Sequence, residues 1–202
     1  MASRPVFLPS YQGQRLVEER SFDFPWASGF AEVQKKKNIH ALHQKAMLDG
    51  IRLGKRLSAF SLRIEIGAEA FPLESVYQGS KVFEEAGPFP EIFYFTPRES
   101  KRFIRENGRG KITGFRLEGQ NYPLSPKNAF YDWLYIRSLE SHADWIREKV
   151  AYDAFTDIEF NPAKQVNCQA RAFAEYLSLV ERDELHAAAS DFNYFASMLS
   201  PV

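Results

Sequence analysis

The chain has one cysteine, no excess charge of either sign and no long apolar run, and each shortage excludes a class of protein. Cys168 has no second cysteine to pair with, so an internal disulfide is excluded and a reducing compartment is favoured. No apolar stretch approaches a membrane span and the first residues hold no apolar signal segment, so we expect a cytoplasmic protein without a membrane partner. A formal net charge of zero argues against DNA coating through overall basicity.

Several common signatures of enzymes and metal proteins are also absent. The chain has no glycine-rich phosphate loop, nucleophile elbow, zinc signature or Rossmann fingerprint. His40 and His43 are three residues apart, but no third ligand at a matching spacing completes a metal site. A lone cysteine is more often an inert core residue than a nucleophile. We therefore predict neither a metal nor a cofactor.

The remaining composition is that of a folded domain. With 202 residues, 45% of them hydrophobic and 15% aromatic, the chain can bury a sizeable core. It has no internal repeat or long linker, so we expect one domain over residues 1–202. The predicted class is α+β, a single mainly helical domain with a few short strands. The pattern predicts helices over 30–47, from 73 to the Gly-Pro pair at 87–88, over 97–107 and 126–139, from 141, from 167 and over 183–199. It predicts strands over 6–8, 16–24, 57–66, 91–95, 111–117 and 158–160.

The segment 74–81 carries a polar stripe that suits the wall of a pocket. On a helix, Glu74, Gln78 and Lys81 fall within roughly 60° of one another, so a carboxylate, an amide and an amine share one face. Apolar residues flank this stripe on the same helix. The pattern therefore indicates a helix that lines a pocket as well as packing on a core.

A second segment, 96–102, opens a helix with cationic side chains near its start. Thr96 and Glu99 have the spacing of a capping box, with a proline between them at the first helical position. Arg98 and Arg102 lie in the first turns, where backbone N–H groups also favour phosphates. Seven cations and two acids occur between residues 98 and 116, which fits either a solvated helix face or a contact with phosphate or nucleic acid.

Lys35 is unusual because it lies on the apolar stripe of its predicted helix, together with Ile39 and Leu42. An inward amine is costly to bury unless it is paired, hydrated or neutral. Desolvation lowers the pKa of an amine, and a neutral amine is a nucleophile. The alternative is that the side chain reaches water along the helix surface.

Two further groups of residues have both a functional and a structural interpretation. Asp157, Glu159 and Asn161 alternate onto one side of a predicted extended stretch, where they can bind ribose hydroxyls, act as a base or stabilise turns. Tyr131 and Trp133 offer faces for stacking a base, although aromatic residues at helical spacing also pack in cores.

The segment 73–83 resembles the motif of the NADAR family, written roughly as (Ser/Thr)-Glu-His-x-x-Gln-x-x-Lys. Glu74, Gln78 and Lys81 match its Glu, Gln and Lys, whereas Ser75 replaces its His. Strings at 34–37, 131–135, 156–162 and 167–170 resemble the branch that accompanies DarT-type ADP-ribosyltransferase toxins. This resemblance covers most of the chain and is specific, because several uncommon strings agree in order.

The resemblance implies an N-glycosidic hydrolase that removes ADP-ribose from guanine bases in DNA and so acts as the antitoxin to a DarT-type toxin. The implied partners are ADP-ribosylated DNA and the toxin itself. Three alternatives stay open: a module that binds ADP-ribose without cleaving it, a module that binds the toxin directly, and an N-glycosidase of riboflavin-pathway intermediates.

We assign catalytic roles to Lys35, Glu74 and Glu159. Either carboxylate can stabilise the positive charge that builds on the ribose as the bond to the base breaks. Lys35 suggests a different route, in which the amine attacks C1″ and forms a ring-opened Schiff base that water releases. The predicted substrate-binding residues are Gln78, Lys81, Arg98, Arg102, Tyr131, Trp133, Asp157, Asn161 and Asn167.

Overall fold

A computed structural model of the chain describes residues 6–7, 56–149, 154–155 and 169–199. The helices are α1 (Leu73–Gly79), α2 (Pro97–Asn107), α3 (Ala129–Glu140), α4 (Ala143–Lys149), α5 (Gln169–Glu181), α6 (Leu185–Ser190) and α7 (Phe192–Leu199), with a 3₁₀ helix at Pro90–Tyr94. The strands are β1 (Val6–Phe7), β2 (Arg63–Ile66), β3 (Glu69–Pro72), β4 (Lys81–Phe83), β5 (Ile112–Leu117), β6 (Gln120–Tyr122) and β7 (Ala154–Phe155). The predicted α+β class, mainly helical with a few short strands, is confirmed.

Helix α3 is the centre of the core. It is buried along nearly its whole length, and apolar residues occur on every side of it, as expected for a helix surrounded by other elements. Helices α1, α5, α6 and α7 and strand β2 all contact it. The core therefore forms around one internal helix, and α1, which carries Glu74 and Gln78, packs on its surface.

Short antiparallel sheets cover one side of this core. Strands β4, β5 and β6 form a three-stranded antiparallel sheet, and β2 pairs with β3 in a hairpin. In the larger sheet, Phe115 pairs with Lys81 on one side and Tyr122 on the other. The Phe115 ring stacks on Phe130 of α3 with centroids 4.4 Å apart, which fixes the sheet against the central helix. Among the described residues, no helix has the length and apolar character required to cross a bilayer.

The helix predicted to run from residue 73 to residue 87 ends early, at Gly79. A Cβ atom on Gly79 would lie 2.6 Å from the carbonyl oxygen of Phe89, so only glycine allows this close approach of the 3₁₀ region. The Phe89 backbone N–H donates to the Gly79 carbonyl at 2.7 Å. The chain then turns and Lys81–Phe83 pairs with β5, which satisfies backbone groups that a longer helix would have used internally.

Three other predicted elements differ from the observed ones, and one is confirmed in detail. Residues 57–62 form a turn, so only Arg63–Ile66 of the predicted 57–66 strand is extended. Pro90–Tyr94 is a 3₁₀ helix, although the pattern predicted a strand over 91–95. The last helix divides at Asp191, whose carboxylate accepts backbone hydrogen bonds that start α7. Helix α2 matches its prediction, including the complete capping box. The elements predicted at 16–24, 30–47 and 158–160 lie outside the described residues.

Candidate functional site

A chain of polar contacts runs along α1 into β4. Gln78 donates from Nε2 to Oε1 of Glu74 at 2.8 Å, and its own Oε1 accepts from the Lys81 ammonium group at 2.6 Å. This pattern determines which way the Gln78 amide points, because its donor faces the carboxylate and its acceptor faces the amine. Glu74 and Gln78 are buried, so these hydrogen bonds replace lost contacts with water. The predicted stripe of carboxylate, amide and amine is therefore a connected network.

Helix α2 adds a second cation to this network. The Lys101 ammonium group lies 3.2 Å from Oε1 of Glu74 and forms an ion pair with the buried carboxylate. Lys101 reaches this position because the Thr96 capping box starts α2 beside α1, and the two helices are in contact. No other hydrogen bond or ion pair between described residues uses the second carboxylate oxygen, Oε2. One oxygen of Glu74 is thus held by two donors, and the other has no partner among the described residues.

A cavity of about 830 Å³ opens between α1 and α2. A volume of this size is in the range of small-molecule sites. Four of its lining side chains are cations and none is acidic, so an anionic ligand is favoured electrostatically. Glu74 lies directly behind two of the lining residues, Gln78 and Lys101. The residues that line the cavity are Phe60, Gln78, Lys81, Thr96, Pro97, Arg98, Lys101, Ile104 and Arg105.

The amine of Lys81 has altered acidity in this setting. Burial lowers the pKa of Lys81 to about 8, the negative charge of Glu74 opposes this shift, and the nearby Lys101 charge adds to it. The ammonium group also lies 4.9 Å from the centroid of the Tyr77 ring, which favours the protonated form. Lys81 therefore remains mostly charged at neutral pH but holds a much larger neutral fraction than an exposed lysine.

Tyr131 lies beneath this network, on the central helix. It is 5% exposed, and its ring meets Tyr77 edge-on with centroids 5.1 Å apart. Burial raises the pKa of Tyr131 well above its usual value, and the negative charge of Glu74 adds to the effect. The phenol is therefore neutral at physiological pH. Its ring packs under α1, against Tyr77, on the core side of the site.

Trp133 lies in the core and does not line the cavity. Its indole N–H donates to the carbonyl oxygen of Ala188 at 3.1 Å, and its ring packs edge-on against Phe192. With 3% of its surface exposed, the residue has no open face for a base. The structure therefore places Trp133 in the packed core, because its position on α3 points it between α6 and α7. The stacking role stays a prediction.

The two arginines predicted as a pair are placed differently. Arg98 lines the cavity, whereas Arg102 is exposed and does not line it. Viewed down the axis of α2, Lys101 and Arg105 are rotated away from Arg98 in one direction, towards α1. Arg102 is rotated away from Arg98 in the opposite direction. The cations that complete the cavity are thus Lys101 and Arg105. The spacing 98, 101, 105 is one helical stripe, but 98, 102, 105 spans an equally narrow arc, so only the packing of α2 on α1 selects Lys101 over Arg102.

Sequence reasoning also missed Phe60, which lines the cavity from the turn before β2. The alternating pattern of 57–66 predicted a strand, and a strand would have placed Phe60 on the core side with Leu62. The predicted site residues Lys35, Asp157, Glu159, Asn161 and Asn167 lie outside the described residues. Their roles remain predictions.

A second buried charge cluster joins α3 to α5. The Asp132 carboxylate is fully buried and accepts a hydrogen bond from the Arg171 guanidinium, which also lies 3.2 Å from Oε1 of Glu175. Burial raises the pKa of Glu175, and the charge on Asp132 raises it further, while Arg171 opposes both effects. Since one guanidinium serves two buried carboxylates, Glu175 is the member that holds a proton near neutral pH.

The geometry defines a class of site: a pocket lined by four cationic side chains, with a buried, hydrogen-bonded carboxylate behind two of the lining residues. Among the described residues, no group of three or more His, Cys, Asp or Glu side chains is placed to hold a metal ion.

A comparison with protein families gives one further finding. The model of the DarT1-associated NADAR antitoxins matches residues 2–201, so the chain belongs to this antitoxin family. No curated protein matches the chain.

Proposed function

We propose that this protein is an ADP-ribosyl glycohydrolase that removes ADP-ribose from guanine bases in DNA, and that it counteracts a DarT-type toxin by this reaction. The observation that carries the proposal is the cationic cavity beside the buried Glu74 carboxylate, in a chain that belongs to the DarT1-associated NADAR antitoxins. A cavity built for an anion suits the diphosphate, and a carboxylate suits the cationic centre of a breaking glycosidic bond.

The diphosphate fits the α2 side of the cavity. Arg98 and Arg105 lie on one helical stripe, about two turns apart, and line the same wall, so two guanidinium groups can reach neighbouring phosphates. Neither forms an ion pair with a carboxylate in the described part of the chain, so binding a phosphate breaks no such contact. The network at Glu74 then lies beside the ribose that is joined to guanine.

Breaking the bond from C1″ to the base nitrogen builds positive charge on this ribose. The Glu74 carboxylate stabilises that charge, and water adds its oxygen to C1″. The departing guanine nitrogen takes up the proton that this water releases, which gives free ADP-ribose and unmodified guanine. Gln78 acts as a positioning residue because it holds Glu74 through one end of its amide and Lys81 through the other. Lys101 holds the same carboxylate oxygen from the side of α2.

Lys35 defines a second chemical route, proposed from the sequence. Its neutral amine attacks C1″, the bond to the guanine nitrogen breaks with transfer of a proton to that nitrogen, and the sugar ring opens to a Schiff base. Water then hydrolyses the Schiff base and restores the amine. Glu159 is a second candidate for the carboxylate role in either route.

One assay tests the proposed function. A guanine-containing oligonucleotide that carries ADP-ribose is incubated with the protein, and its products are separated by size. Release of ADP-ribose with unmodified oligonucleotide supports the hydrolase. Tight binding without release would favour an ADP-ribose-binding module, and protection against the toxin without either property would favour direct contact with the toxin.

A trapping experiment separates the two chemical routes. Borohydride added during turnover reduces a Schiff base to a stable adduct, which mass spectrometry places on a particular lysine. An adduct on Lys35 supports the amine route. Active turnover with no adduct on any lysine supports water attack assisted by a carboxylate.

A further inference from the structure

Phe60 is an exposed aromatic ring on a firmly anchored turn. The carbonyl oxygen of Ser58 accepts hydrogen bonds from the backbone of Ser61 and of Leu62, each at 2.8 Å. The Ala59 backbone N–H donates to Oε1 of Gln169 on α5, also at 2.8 Å. Ala59 and Leu62 are fully or almost fully buried, whereas Phe60 between them is 56% exposed. The ring is therefore held outward by the residues on both sides of it.

The ring faces the cationic cavity. Phe60 lines its wall, and the Lys101 ammonium group lies 4.8 Å from the ring centroid. The same ammonium group lies 3.2 Å from Oε1 of Glu74. One cation thus touches both the aromatic ring and the carboxylate, which places Phe60 next to the point where the bond to the ribose is expected to break.

Phe60 is the one aromatic side chain among the described residues that line this cavity. Tyr131 and Trp133 are both buried against other rings of the core. A flat ring that keeps exposed area beside cations is suited to a flat, polar base, since stacking adds to the electrostatic attraction of the ligand.

We propose that Phe60 is the stacking surface for the guanine base from which ADP-ribose is removed. The inference rests on the proposed function, because it takes C1″ of the distal ribose to lie at Glu74. Guanine is joined directly to that carbon, whereas adenine is separated from it by the diphosphate and a second ribose. A ring adjacent to Glu74 therefore meets guanine, and adenine lies beyond the arginines.

The test compares binding of two probes by the full chain and its variants. One probe is an oligonucleotide with ADP-ribose on guanine, measured at low temperature before turnover, and the other is free ADP-ribose. Phe60→Leu is expected to weaken binding of the oligonucleotide about tenfold and to leave binding of ADP-ribose within about twofold, whereas Phe60→Tyr retains both. Tyr94→Leu removes an exposed aromatic that does not line the cavity, and it is expected to change neither.

Each other outcome overturns the inference. Equal weakening of both probes by Phe60→Leu would assign the ring to adenine, and no weakening of either would leave it a packing role only. Release of ADP-ribose by the wild-type chain is scored separately. If the wild type binds the modified oligonucleotide but releases nothing, the proposed function fails while the binding comparison still decides the role of Phe60.

Discussion

The Lys101 ammonium group lies 3.2 Å from the buried Glu74 carboxylate, although the two residues belong to different helices. This ion pair joins a residue that lines the cavity to a carboxylate behind it, because Lys101 lines the cavity and Glu74 does not. Partly buried ion pairs of this kind contribute little to stability unless the desolvation of both charges is offset. The value of this pair is positional, since it holds one carboxylate oxygen of Glu74 in place.

Replacing Glu74 with glutamine is expected to reduce the release of ADP-ribose at least about a hundredfold, because the amide has no charge to stabilise the cationic ribose. The side chain keeps its size and still offers an oxygen to Gln78 and Lys101, so we expect a folded protein with an unchanged circular dichroism spectrum. Glu118→Gln, which removes an exposed carboxylate paired with Arg137, is the matched control. Near-normal turnover in Glu74→Gln would exclude the catalytic role of Glu74.

Lys81 is expected to react with an acylating reagent much faster at pH 8 than the exposed Lys127. Burial lowers the pKa of Lys81 to about 8, so roughly half of its side chains are neutral at that pH, compared with under about 1% for an ordinary lysine. Mass spectrometry after a short pulse measures both sites in one sample. ADP-ribose in the cavity is expected to protect Lys81 and leave Lys127 unaffected.

The reactivity of Lys81 also depends on its neighbour. The positive charge of Lys101 lowers the pKa of Lys81, so Lys101→Gln is expected to raise that pKa and slow acylation of Lys81 at pH 8. Faster acylation in this variant would show that access to the cavity, and not the charge of Lys101, controls the reaction.

Arg98 and Arg102 form a matched pair for testing the anion site. Both are arginines in the first two turns of α2, but only Arg98 lines the cavity. Arg98→Gln is expected to weaken binding of ADP-ribose about tenfold through loss of a charge-assisted contact, and Arg102→Gln is expected to weaken it less than about threefold. Isothermal titration calorimetry measures both. Equal losses would mean that the general positive field of α2, and not a specific contact, binds the diphosphate.

The buried cluster on α3 and α5 predicts how stability depends on pH. The pKa of Glu175 is raised in the folded state to about 8, mainly by burial, so the folded protein binds this proton more tightly than the unfolded chain does. The free energy of unfolding is therefore expected to fall as the pH rises from the ordinary carboxyl range towards 8, by at most about 1.4 kcal/mol per pH unit for this group.

Urea unfolding between pH 5 and pH 8 measures this dependence. Glu175→Gln keeps a neutral side chain at every pH, so its stability is expected to change less over this range than that of the wild type. Glu181→Gln, at the exposed end of the same helix, is expected to keep the wild-type dependence. An identical pH profile in Glu175→Gln would mean that another group is responsible.

Local sequence determined several elements of this protein without reference to the rest of the fold. The capping box at Thr96 and Glu99 specifies the start of α2, because both partners lie within one turn. The spacing of Glu74, Gln78 and Lys81 predicted a shared face, and hydrogen bonds join them in that order. The family motif in the same segment led to the NADAR antitoxins, and the family match confirms this.

Tertiary packing decided which of these residues meet across the molecule. At Gly79, the last residue of α1, the neighbouring segment packs too closely for a side chain, and periodicity within one helix contains no information about that neighbour. Lys101 reaches Glu74, Trp133 lies in the core and Phe60 faces the cavity for the same reason. The sequence determined the residues on each helical face, since that depends on chain geometry over a few residues. Only the packing of distant segments determined which faces enclose the cavity, because burial of apolar surface sets their arrangement.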